Sequence, residues 1–378
     1  MRDLWGLDPD VDFLNHGSFG ATPLDVLAFQ REVQDEMERQ PVHFMMETLP
    51  GRLRAAADDL GSFIGAKGED VVFVPNATTG VNAVLRSLKF KPGNRVITTN
   101  HVYGAVHNTL RYVCKRAGAE LVWVEVPFPI GGPEEVLERL EDALKEGAAL
   151  AVLDHITSST GLVLPIEAMV RMCHERGVPV LVDGAHAPGQ VDLNVESLGA
   201  EWYTGNCHKW MLAPKGCAFL WAAKEAQVVH PTTISHGYEQ GFTEEFDWVG
   251  TQDFSPYLSV TECLYFLRYI DPQRVRNRNR GLAQMAAQVL SSAWSTPIPS
   301  PMQMRASMVT MDLPVRVAPT VEAAKRLHDA LWERHRIEVV VTPFGDRSWL
   351  RISAQMYNDL DQYDRLASAV LQEVIAVG

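Results

Sequence analysis

Three short stretches of the chain place reactive side chains where apolar elements begin or end. Val180-Leu-Val-Asp183-Gly-Ala-His186 reads as a buried strand that stops at a carboxylate, followed by small residues and a histidine. Polar side chains at the carboxyl end of a parallel strand project into the crevice where α/β proteins hold ligands. Further along, Gly205-Asn206-Cys-His208-Lys209-Trp210 sets a lysine among glycine, histidine and tryptophan. Asn76-Ala77-Thr78-Thr79-Gly80 follows the apolar run Val71 to Val74 and opens a helical pattern. Free backbone N–H groups at such a start, with the helix dipole, favour an anion such as phosphate. Singly, each has an ordinary explanation: a turn-forming acid, a solvated lysine, a threonine cap. Together they supply an acid, an amine and an anion cup. Pyridoxal 5'-phosphate requires that set: a lysine for its Schiff base, an acid to keep its ring nitrogen protonated, and a cradle for its phosphate.

A scaffold must bring these loops together. Val71 to Val74, Arg95 to Thr99, Glu120 to Val124, Leu150 to Asp154 and Val178 to Asp183 read as buried strands. Helical patterns lie between them at Thr79 to Leu88, Val106 to Ala117, Pro133 to Lys145 and Ile166 to Arg176. The alternation predicts an α/β fold with a mainly parallel sheet covered on both faces. Trp202 to Gly205 and Gly216 to Trp221 read as two more strands, flanking the turn that carries Lys209. After about Ser255 the pattern becomes α+β: a long helix over Val260 to Leu290, a Pro-rich break, then strands near Met308 to Asp312, Ile337 to Val341 and Trp349 to Ser353. Helices over Val321 to His335 and Asp361 to Val377 complete it. The expected organisation is a large domain over 15–255 and a small C-terminal domain over 256–378, with segment 1–14 packing nearby.

The 378 residues suit two domains. A formal charge of −13 disfavours nucleic acid or an anionic membrane as partner, and no segment approaches the roughly 20 apolar residues of a membrane span. Met1 to Asp12 lacks the apolar core of an export signal, and five scattered cysteines without a CxxC pair suit a reducing compartment, so a cytoplasmic location is expected. Neither HExxH nor paired Cys/His spacing is present, and no metal site is expected.

Over nearly its whole length the chain resembles fold-type I pyridoxal-phosphate enzymes of the class V aminotransferase group, which includes the cysteine desulfurases, and within it the isopenicillin N epimerase-like branch. The resemblance is carried by Phe13-Leu-Asn15-His16-Gly-Ser-Phe-Gly20, Ser158-Ser-Thr-Gly-Leu-Val-Leu-Pro165, Val182-Asp-Gly-Ala-His-Ala-Pro-Gly189, His208-Lys-Trp-Met-Leu-Ala-Pro214 and Arg351-Ile-Ser353. It implies that Lys209 carries the cofactor, Asp183 pairs with the ring nitrogen, and His186 stands where relatives use glutamine on the phenolic oxygen. Ala77, Thr78, Thr79, Asn206 and His208 would hold the phosphate, and Ser158 would line the cofactor site. Tyr103 lies one residue off the position of a ring-stacking histidine, and its own aromatic ring can stack. Arg351 matches an arginine that clamps a substrate carboxylate, with Asn15 and His16 near the substrate; His16 could equally serve packing. Gly250-Thr251-Gln-Asp253 resembles a segment through which a neighbouring subunit completes the phosphate site, which implies a homodimer with shared active sites.

One departure bears on the reaction. Cysteine desulfurases carry a nucleophilic cysteine shortly before the matching arginine, and Val339 to Trp349 has none. The resemblance therefore implies abstraction of the α-proton of a small-molecule amino acid, leading to epimerisation or C–S lysis. Transamination is an alternative, and a catalytically idle pyridoxal-phosphate-binding scaffold is an alternative of another class. The clamp arginine weighs against the idle binder.

Overall fold

A computed structural model describes residues 1–377. Among the described residues twelve strands are formed: β1 (Asp12–Phe13), β2 (Val71–Val74), β3 (Arg95–Thr99), β4 (Glu120–Val124), β5 (Leu150–Asp154), β6 (Val180–Asp183), β7 (Trp202–Asn206), β8 (Ala218–Ala222), β9 (Met308–Met311), β10 (Ile337–Glu338), β11 (Val340–Phe344) and β12 (Arg347–Ser353). Seven of them make one sheet in the order β2-β8-β7-β6-β5-β3-β4, parallel from β7 to β4, with β8 antiparallel to both of its neighbours. The fold is α/β of the fold-type I class.

Strand alternation explains why this sheet is buried on both faces. Val72 and Val74 of β2 pack with Val81, Val84 and Leu220 on one side. Val71 and Phe73 face the other side, where Val180, Val182, Tyr203 and Phe219 lie. Helices Ala77–Ser87, Gly104–Ala117, Pro133–Leu144 and Ile166–His174 connect and cover the strands. The parallel strands all deliver their carboxyl ends to one edge, and β5, β6 and β7 end there in Asp154, Asp183 and Asn206.

Strands β11, β12 and β9 form a smaller antiparallel sheet, against which Pro272–Trp294 and Val321–His335 pack, with Leu360–Val377 lying on both helices. The expected single helix over Val260 to Leu290 is two helices, Val260–Ile270 and Pro272–Trp294. Proline lacks an N–H and disfavours helical geometry in the residue before it. Asp271 accordingly leaves the helix at φ 65° and caps the next one, accepting from the Gln273 and Arg274 amides. Packing also crosses the boundary expected at 255/256. Cys263, Leu264, Phe266 and Leu267 belong to the large core, and apart from Leu14 the second core begins at Leu282.

The strand expected over Ile337 to Val341 divides at Val339. Ile337–Glu338 pairs in parallel with β1, while Val340–Phe344 pairs with β12. The N-terminal segment thus joins both bodies: Trp5 packs in the large core and Leu14 in the small one.

Candidate active site

The register of the large sheet sets Asp154 opposite Asp183, and Asp183 opposite Thr204. Just past β6, the Ala185 amide donates to Asp183 Oδ1 at 3.0 Å. Gly184 must be glycine here, because a Cβ would meet the Tyr203 phenol at 2.1 Å. After β7 the chain turns through His208 and Lys209 and returns as β8, with the Leu212 amide donating to the Lys209 carbonyl at 3.1 Å. Leu212 closes this turn at φ 67°, a left-handed conformation that costs a residue with a Cβ roughly 1–2 kcal/mol. Opposite lies the start of helix Ala77–Ser87, where Asn206 Oδ1 accepts from the Ala77 amide at 2.9 Å.

These elements surround a cavity of about 610 Å³, a size suited to a small molecule. Lys209 Nζ stands 3.1 Å from His186 Nε2 inside it. Burial, reinforced by the charge of Arg351, lowers the Lys209 ammonium to about 7, with Asp183 pulling the other way. A good part of this amine is therefore unprotonated near neutral pH and able to act as nucleophile or base. Burial, then the charge of Lys209, holds His186 neutral, well below the ordinary imidazole range. Burial also raises Asp183, against the Ala185 amide and Lys209, which favour its charged form. His208 is fixed through Nδ1, which donates to the Cys217 carbonyl at 2.9 Å, and burial brings it to about 4.

Of the residues expected at the site, Lys209, Asp183, His186, Tyr103, Ala77, Thr78, Ser158, Asn206 and His208 line this cavity together. Tyr103 stands at its mouth, 48% exposed, just before helix Gly104–Ala117. Thr79 does not reach the wall. Its amide and hydroxyl both donate to Asn76 Oδ1, so it completes the helix cap. Arg351 lies behind the wall, 3% exposed, donating to the Ser158 carbonyl, to Ser18 Oγ and to Asn15 Oδ1, while its Nε has no partner. Asn15 is also tied to Glu338, through a 2.8 Å bond from Nδ2.

His16 is buried against Trp210 rather than on the cavity wall. Its Nδ1 lies 2.7 Å from the Tyr357 hydroxyl and its Nε2 donates to the Lys209 carbonyl at 3.0 Å. Burial keeps it neutral, down to about 3, so here it holds the lysine's backbone. Gly20 lets the same segment run against that backbone, since a Cβ would meet the Lys209 carbonyl at 2.7 Å. Thr251 is exposed and lies off this cavity. All five cysteines are buried, and the β11–β12 hairpin that carries Arg351 has none.

The wall also holds residues that sequence patterns did not mark: Ser18, Phe19, Lys215 and Asp154. Asp154 is 3% exposed and its Oδ2 lacks a hydrogen-bond partner. Its position at a strand end is the signal that also marks Asp183, but no Gly-Ala-His follows to single it out.

Residues 23–366 match the aminotransferase class-V family. The chain belongs to that family. A probable L-cysteine desulfhydrase, chloroplastic, of Arabidopsis thaliana is 34% identical over 96% of this chain and 83% of its own length. An isopenicillin N epimerase of Amycolatopsis lactamdurans is 33% identical over 98% and 96% respectively. Among solved structures, the apo cysteine desulfurase of Thermococcus onnurineus NA1 superposes with a TM-score of 0.82 at 21% identity, covering 100% of this chain and 98% of that one. The fold is shared with that enzyme.

Pyridoxal phosphate is the cofactor of this family, and the cavity fits it. It offers a buried, partly uncharged amine, an acid at a strand end and a helix start that brings Ala77 and Thr78 to the wall. Two buried polar atoms without partners, His186 Nδ1 and Asp154 Oδ2, belong to residues of the same wall.

The depressed Lys209 gives a test in the cofactor-free protein. Between about 7 and the ordinary 10.5 the unfolded chain binds more protons at this lysine than the native one does. Stability should therefore rise with pH across that window in wild type. Lys209→Met removes the term, so its thermal midpoint should exceed that of wild type at pH 7 and the gap should close towards pH 10.5. A gap that stays constant over this range would show that Lys209 keeps its ordinary pKa.

Proposed function

We propose that this chain acts on an amino acid at Cα, removing the α-proton, and that it is an epimerase or a C–S lyase. The observation that carries the proposal is the Lys209 amine, buried, lowered to about 7 and facing a neutral His186 in the cofactor cavity. The similarity to a cysteine desulfhydrase and to an isopenicillin N epimerase supports both outcomes. Bound pyridoxal phosphate supplies an electron sink for the charge that develops at Cα.

The chain's residues divide the remaining tasks. Lys209 would anchor the cofactor, and its Nζ would accept the α-proton of the bound amino acid. Asp183 holds a proton on the ring nitrogen, and its loss would empty the sink. His186 orients the Lys209 amine, and its unpartnered Nδ1 would be available to the bound cofactor. The Thr78 amide at the helix start, with Asn206 and His208, would hold the phosphate, and Asn206 Oδ1 fixes the Ala77 amide beside it. Tyr103 closes the mouth of the cavity. Arg351 binds the substrate carboxylate as a bidentate fork once Ser18 and Asn15 release its NH2 group, and so fixes which bond at Cα is broken. The absence of a cysteine before Arg351 and the burial of all five thiols speak against persulfide chemistry. Buried free thiols also suit a reducing compartment such as the cytoplasm.

We also propose a homodimer in which Thr251 of one subunit serves the phosphate site of the other. Its exposure and its distance from its own cavity wall support this. Sedimentation of an active monomer at assay concentration would defeat it.

Borohydride reduction of the purified holoenzyme should fix the cofactor to Lys209, as read by peptide mapping. With L-cysteine, C–S lysis yields sulfide, pyruvate and ammonia rather than alanine; epimerisation yields the other isomer of its substrate. An adduct on another lysine, or alanine as the main product, would reject the assignment. Arg351→Lys keeps the charge and loses the planar fork, and should lower kcat/KM by roughly 10- to 1000-fold. Its cofactor absorbance should stay unchanged. Unchanged kcat/KM in this variant would remove Arg351 from the clamp.

A further inference from the structure

Of the two acids on the cavity wall, only Asp183 has a task in the chemistry proposed. Asp154 ends β5 directly in register with Asp183 at the end of β6. Neighbouring strands lie about 4.8 Å apart and residues in register project to the same face, so the two carboxyls rise from the sheet side by side. Both residues are 3% exposed and both line the cavity. Asp183 has the Ala185 amide as a donor, whereas Asp154 Oδ2 has no partner. A buried carboxylate oxygen without a donor is costly, and two adjacent carboxylates cannot both ionise.

We propose that Asp154 and Asp183 hold one proton between them, with Asp154 as the neutral member, and that Asp154 is a positioning residue whose O–H keeps Asp183 anionic for the cofactor's ring nitrogen. The assignment rests on Asp183 facing the cofactor, but the shared proton is a property of the protein alone.

The surroundings select which acid ionises. Burial, then the charge of Asp183, pushes Asp154 well above the ordinary carboxylate range, with only the amides of Asp154 and Tyr103 pulling it back. Asp183 in contrast feels the positive charge of Lys209. The other groups facing the pair do not reverse this order. His186, from the loop after β6, is neutral, and the Tyr203 phenol on β7 is pushed well up by burial and so also stays neutral. From β12, Arg351 acts on Lys209 and His186 rather than on Asp154.

Two variants separate the roles of proton and charge. Asn at 154 keeps a neutral donor but cannot ionise, and Ala removes the donor. Equilibrium binding of pyridoxal phosphate, followed by absorbance, should weaken about 10- to 100-fold in Asp154→Ala, the worth of a hydrogen bond to a charged group. In Asp154→Asn it should remain within about 3-fold of wild type. Because the native pKa of Asp154 lies above its unfolded value, its contribution to stability is present at acid pH and is lost as pH rises. The thermal midpoint of the cofactor-free full chain should therefore favour Asp154→Asn over wild type by a margin that grows from pH 4.5 to 8. A margin that does not change with pH, an Ala variant that binds like wild type, or a folded Asn variant as weak as Ala would each overturn the proposal. Failure of the Lys209 adduct would reject the function and leave the pH-dependent margin standing, so the two failures are distinguishable.

Discussion

A primary amine kept out of water is the constraint on which this molecule turns. Lys209 is useful only while it is partly uncharged near neutral pH, and burial is the first cause of that state. Burial in turn demands that its backbone and side chain be held from several directions. The large sheet supplies β7 and the turn behind it, closed by the left-handed Leu212. The N-terminal segment supplies His16, whose ring bonds the Lys209 carbonyl, and Gly20, which allows the close approach. The smaller body supplies Arg351, whose charge adds to the depression.

The same constraint accounts for the acids. Two buried carboxyls and a lysine on one cavity wall, with an arginine behind it, cannot all carry full charge, so the site settles the protons by position. Asp183, next to an amide and to Lys209, is the better site for a negative charge. Stability is spent on this arrangement: Asp154 Oδ2 and Arg351 Nε stay buried without partners.

The sequence was informative where one chain segment carries a whole pattern. Strand β6 with its terminal Asp183, the Lys209 turn and the capped helix after β2 are each local, and each lies where the pattern puts it. Legibility failed where tertiary contacts decide. Asp154 looks like any strand-terminal acid until the register with β6 sets it beside Asp183. Thr79 has the side chain for a phosphate ligand, but Asn76 engages it. His16 sits in a motif near the substrate region and turns out to serve the backbone of Lys209, because Tyr357 and Gln355, far along the chain, close around it. The break at Asp271 was available in principle from Pro272, yet apolar periodicity continues across it and masks the stop.

The pairing of Asp12–Phe13 with Ile337–Glu338, and the place of Leu14 in the smaller core, set an order of events in synthesis. These contacts join segments far apart in sequence, a strongly non-local class of contact. On the ribosome, the first segment emerges long before its partner strand exists. The large sheet from β2 to β8 can assemble behind it, but His16 cannot be locked against Tyr357 until the chain through Tyr357 has been released. The amine at Lys209 therefore acquires its buried environment last. A nascent chain cannot hold a finished active site before Tyr357 has emerged.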